Sequence, residues 1–114
     1  MTMAASDAEG ADGEVAVIFV SRRSGDDPRG YDAAAAAMER LAAAQPGYRA
    51  IRAARGADGV GITVSWWVDE AAAIAWRDQP DHVRIREQGR ERWYLWYEVT
   101  VARVLRRYAG GTDR

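Results

Sequence analysis

Apolar residues follow two rhythms along this chain. From Glu14 to Arg23 (EVAVIFVSRR) nearly every position is apolar or β-branched, which predicts a strand covered on both faces. Ser24 to Gly30 reads as a loop by composition. From Tyr31 to Gln45 the period lengthens: Tyr31, Ala34, Ala35, Met38, Leu41 and Ala42 form an i, i+3, i+4 stripe, and Pro46-Gly47 stops the helix they predict. The alanines at 33–37 keep helix propensity high and let that helix lie close to a sheet. Tyr48 to Arg55 is a second strand, Gly56-Ala57-Asp58-Gly59 a tight turn, and Val60 to Val68 a third strand. On that third strand Ile62, Val64 and Trp66 share one face, and Thr63, Ser65 and Trp67 the other.

Asp69-Glu70 suits the first turn of a helix, where carboxylates meet the positive end of the dipole. The helix, Asp69 to Asp78, carries Ala72, Ala73 and Trp76 inward until Pro80 ends or kinks it. Asp81 to Arg92 is a further helix with His82, Ile85, Gly89 and Trp93 at helical spacing, and Leu95 to Tyr108 is the last strand. The order β-α-β-β-α-β is the ferredoxin-like motif: an α+β fold with a four-stranded antiparallel sheet and helices on one face. Both sheet faces are apolar, so the face without helices is expected to meet a second sheet, most simply in a two-fold homodimer. Residues 1–13 read as a disordered tail, 14–108 as one domain and 109–114 as a flexible tail.

Composition removes several kinds of chemistry. The chain has 114 residues, a formal net charge of −1, no cysteine and one histidine. That excludes disulfides, thiolate nucleophiles and multi-histidine metal sites, so no metal is assigned. Every basic residue except His82 is an arginine, spread over all the elements. No signal-peptide pattern and no long apolar run occur, so a cytoplasmic protein without a membrane partner is expected. RNA-recognition domains share this element order, but Val60 and Ile62 stand where stacking rings belong, and no nucleic-acid partner is expected.

All five tryptophans, and His82, lie between positions 66 and 96. The run Ala54-Arg55-Gly56-Ala57-Asp58-Gly59-Val60-Gly61-Ile62-Thr63-Val64-Ser65-Trp66-Trp67, then Ala75-Trp76, His82, Gly89-Arg90, Trp93-Tyr94 and Tyr97, resembles the antibiotic biosynthesis monooxygenase (ABM) family. The resemblance spans about residues 14 to 108. It implies a dimeric α/β barrel with a pocket between the sheet and the helices of each subunit. It also implies oxidation of aromatic polyketides, such as anthrones, by O2 as co-substrate without metal or flavin. Superfamily relatives bind or degrade haem, which makes haem, or a non-catalytic small-molecule-binding dimer, the alternative. In the haem-degrading relatives the axial histidine follows a helical tryptophan by ten residues; counted from Trp76 that position is Arg86, and His82 comes six residues after Trp76.

Oxidation of a phenolic molecule without a cofactor needs a base and fixed donors for the resulting anion. His82 is the one side chain titrating near neutral pH unaided, so it is the candidate base, with Trp66 and Trp76 as catalytic pocket walls. Arg86, Tyr97, Phe19 and Met38 are the candidate substrate-binding residues. Each has a structural counterpart: His82 as a brace for the Pro80 kink, and Trp93 to Tyr97 as core or dimer contacts. Arg55, at a strand end before a turn, is expected to be solvated, and Asp26-Asp27 and Asp69-Glu70 are read as loop and helix-start residues.

Overall fold

The computed structural model describes residues 7–9 and 13–112. Its elements are β1 (Asp7–Glu9), β2 (Val15–Arg23), α1 (Pro28–Ala43), β3 (Tyr48–Arg55), β4 (Val60–Trp67), α2 (Glu70–Asp78), α3 (Pro80–Gln88), a π turn (Gly89–Trp93), β5 (Tyr94–Arg103) and β6 (Arg106–Tyr108). Four strands make one antiparallel sheet in the order β3-β4-β2-β5, so the fold is α+β and ferredoxin-like. No described helix is long and apolar enough to cross a membrane.

Three boundaries differ from those the pattern predicts. The first helix starts at Pro28, three residues before Tyr31, because Asp27 caps it. Asp27 adopts φ 49°, accepts from the Gly30 amide at 3.2 Å, and leaves Pro28 at the first helical position, where no amide is needed. The last helix is α-helical only to Gln88, and Gly89–Trp93 widens into a π turn that brings Trp93 into the core. The last strand breaks after Arg103, where the Val104 amide bonds to the Glu14 carbonyl, and resumes as β6. β6 pairs with Asp7–Glu9, a segment expected to belong to a disordered tail; residues 1–6 and 10–12 of that tail, like 113–114, lie outside the described residues.

Register decides which residues face the helices. Val15 stands opposite Trp67, Val17 opposite Ser65, Phe19 opposite Thr63 and Ser21 opposite Gly61, and on the other flank Phe19 meets Val99 and Ser21 meets Tyr97. These pairs form the helix side. The alternate rungs, Ala16 with Trp66 and Ile18 with Val64, form the open face. The core joins Val15, Ala42, Trp67, Ala73 and Trp76, with Met38, Leu41, Tyr48 and Ala72 packed against it. Gly47 lets the helix layer close down: a Cβ there would lie 2.5 Å from the Ala72 Cβ.

Candidate functional site

The layer between sheet and helices is filled by different chemistry at its two ends. At one end three aromatic side chains form a column. Trp67 is fully buried, and its indole N–H donates to Ser65 Oγ at 2.9 Å. Trp76 stacks on it at 5.6 Å between ring centroids, and the His82 ring stacks on Trp76 at 4.0 Å and 12°. Tyr48 meets Trp67 edge-on.

His82 is thereby built into the α2–α3 corner. Gln79 adopts an extended conformation before Pro80, and its side chain accepts from the His82 amide at 2.8 Å. The ring Nδ1 lies 2.6 Å from the Trp76 carbonyl oxygen. A carbonyl only accepts, so Nδ1 carries the proton and Nε2 is the basic nitrogen. Burial lowers the imidazole pKa below its usual value, the Trp76 bond opposes that, and the Arg86 charge adds to it. An imidazole that is harder to protonate when folded contributes stability above its unfolded pKa, and loses it as the pH falls through the folded one. Tm should therefore fall on acidification below the ordinary value of 6.5. That slope should be shallower in His82→Gln, as thermal melts from pH 7 to pH 5 would measure; equal slopes in the two proteins would remove His82 as its source.

Of the three residues expected to form the catalytic group, Trp76 and His82 come together and Trp66 does not join them. Trp66 points from the open face, where it lines a shallow hollow of about 240 Å³ with Glu14, Arg49, Ala50, Arg52 and Arg107. Strand alternation is the reason: the neighbouring Trp67 takes the helix side. Glu14 in that hollow is 1 % exposed and is held by both Arg107 Nη atoms, at 3.2 and 3.1 Å. Arg86 also belongs to the α2–α3 corner, donating to the Arg77 carbonyl at 3.2 Å. Met38 packs on the tryptophan core.

The opposite end is a cluster of phenols and guanidinium groups. Phe19 lies 5.3 Å from Tyr94 and 6.0 Å from Tyr97, so these two candidate binding residues, Phe19 and Tyr97, do meet. Tyr31 of α1 makes edge contacts with Tyr94 and Trp93. Arg55 is not solvated as expected. Its Nη2 donates to Tyr31 OH at 2.9 Å and to Ser21 Oγ at 3.1 Å, and its Nη1 to the Ser21 and Gly59 carbonyls. Gly61, its cross-strand neighbour, makes the room: a Cβ there would lie 2.5 Å from the Arg55 Cζ. Arg23 lies over the Tyr31 ring at 3.8 Å. Burial, then the Tyr31 phenol, pushes the Tyr94 pKa up, against the pull of Arg55 and Arg23, so Tyr94 keeps its proton and can donate it. Beside the cluster, Tyr97, Val99 and Val101 continue the helix side of β5 without helix cover.

Sequence reasoning missed Arg23, Arg55, Tyr31 and Tyr94 as a group. The signal available was the pairing of an arginine before the turn with Gly61 after it, a hairpin rung with a large side chain opposite none.

A family model described as antibiotic biosynthesis monooxygenase matches residues 15–88. The uncharacterized protein YqjZ of Bacillus subtilis (strain 168) is 46% identical over 91 residues, covering 80% of this chain and 79% of that protein. The crystal structure of SnoaB, a cofactor-independent oxygenase from Streptomyces nogalater, superposes with TM-score 0.70 at 19% identity, over 89% of this chain and 97% of SnoaB. Rv0793 from Mycobacterium tuberculosis superposes with TM-score 0.73 at 24% identity, over 82% and 96%.

Proposed function

Since the chain belongs to the antibiotic biosynthesis monooxygenase family, we propose that it is a cofactor-independent oxygenase that oxidises a phenolic or polyketide-like aromatic molecule with O2. The observation that carries this reading is the aromatic end of the helix–sheet layer. There Phe19, Tyr31, Tyr94 and Tyr97 surround two guanidinium groups, next to an uncovered apolar strip on β5. Such a lining suits a flat molecule with a polar edge. The description of SnoaB as a cofactor-independent oxygenase supports the reaction class.

The chemistry asks for an anion. The anthrone or phenol loses a proton to solvent, the anion transfers an electron to O2, the two radicals combine at carbon, and the peroxide so formed takes a proton back. For an anthrone, loss of water then leaves a quinone, with one oxygen atom in the new carbonyl and the other in water. A site of low dielectric with fixed donors favours the anion. Tyr94 is suited to donate, and His82, tied to the Trp76 carbonyl at the far end of the layer, is left out of the acid–base role. The proposal includes a homodimer formed through the open face, and a cytoplasmic site of action.

Purified protein incubated with a panel of anthrones and naphthols, with metals chelated, should consume O2 above a buffer control and release the quinone. Absence of uptake across the panel would sink this function.

A further inference from the structure

Arg23 and Arg55 flank the same ring, with Cζ atoms 3.8 and 5.4 Å from the Tyr31 centroid, yet they are bonded very differently. Arg55 gives its terminal nitrogens to two carbonyls, a hydroxyl and a phenol, all neutral acceptors. Arg23 has Nε and Nη2 sealed from solvent with no acceptor. Neither guanidinium has a carboxylate at ion-pair distance among the described residues.

A guanidinium N–H hidden from water and left without an acceptor is costly, and two on one group are more so. Nε and Nη2 are the two donors of a single guanidinium edge. They point the same way and match a planar pair of oxygens, the geometry by which arginine grips a carboxylate. The surroundings are aromatic: Tyr31 lies under the guanidinium, Tyr94 stands opposite Arg23 across the strand pair, and Phe19 packs on Tyr94.

We propose that the Nε–Nη2 edge of Arg23 is the oxyanion anchor of the site, and that the molecule it takes is an aromatic ring bearing an anionic, planar pair of oxygens. An ortho-hydroxycarboxylate and an ionised hydroxyl beside a ring ketone both present that pair. Arg55 is a positioning residue: it holds Tyr31, and through Tyr31 the plane on which the Arg23 guanidinium rests. This inference rests on the aromatic-substrate reading, but its test is binding and needs no turnover.

The probes are 1-hydroxy-2-naphthoate, its neutral amide, and an ionised 1-hydroxyanthraquinone at high pH, followed by tryptophan fluorescence. Wild-type protein should bind the carboxylate about tenfold or more tightly than the amide, the scale of a hydrogen-bonded charge. Arg23→Gln should bring the two within about twofold, Arg23→Lys should keep only part of the preference, and the exposed neighbour Arg22→Gln should leave it intact. Preference for the anthraquinone anion alone would identify the oxygen pair as phenolate and ketone, and preference for the naphthoate alone as carboxylate; both support the anchor. Equal preference in Arg23→Gln and wild type, or in Arg23→Lys and wild type should the glutamine variant fail to fold, would overturn it. Binding with the expected preference but without O2 uptake would sink the oxygenase and leave the anchor standing; no binding of any probe would sink the anchor.

Discussion

Trp67→Ala should cost about 3–5 kcal/mol of stability, the range for removing a large aromatic side chain from a packed core. Trp67 is 0 % exposed and touches Tyr48 on one side and Trp76 on the other, so the deletion opens a cavity in the tryptophan end of the helix–sheet layer. His82 rests on Trp76 in turn, so the α2–α3 corner loses its backing as well. For a chain of this size the loss corresponds to a fall in Tm on the order of 15 °C. The comparison that gives the experiment its force is the next residue. Trp66 is half-buried and faces the other side of the sheet. Trp66→Ala should cost much less at high protein concentration, and its effect should grow on dilution if that face is covered by a second copy. Comparable, concentration-independent losses in the two variants would refute the assignment of faces.

The contrast between these neighbours also marks how far the sequence could be read. Alternation along Val60 to Val68 puts Trp66 and Trp67 on opposite faces, and the β-α-β-β-α-β order follows from hydrophobic period and turn residues alone. Which face the helices cover does not follow, because both faces of β2 are apolar and periodicity carries no sign. Alternation alone therefore leaves open which of Trp66 and Trp67 turns to the helix layer, and it is Trp67 that packs there. The meeting of Trp76 and His82 is hidden for a related reason: six residues is an unfavourable helical separation, but the helix breaks at Gln79, and a broken helix brings the two rings together. Helical counting holds only within one helix. The Arg23–Tyr31–Arg55–Tyr94 cluster joins the ends of two strands, a helix start and the start of β5, and such long-range meetings depend on register. An arginine before a turn is usually solvated, but the missing side chain at Gly61 leaves room for Arg55 to turn inward.

The largest effect on assembly should come from Ile62→Glu. β5 is an edge strand: Val99 and Val101 on its helix side are 52 % exposed, and Leu95 near its start is 64 % exposed. Ile62 and Trp96 are the exposed large apolar side chains of the open face, with Glu98 and Arg22 beside them. A patch of this kind on a small chain calls for a partner. A two-fold contact uses it twice, so one substitution introduces two carboxylates into the same interface. Each would lose its hydration in the interface at a cost of several kcal/mol, enough to move the dissociation constant by orders of magnitude. Light scattering after size exclusion should show wild-type protein as a dimer at micromolar concentration. Ile62→Glu should run as a monomer or unfold, whereas a charge reversal outside the patch, Glu39→Lys on the exposed side of α1, should change neither mass nor Tm appreciably. A wild-type chain that is monomeric and fully folded at that concentration would remove the barrel dimer.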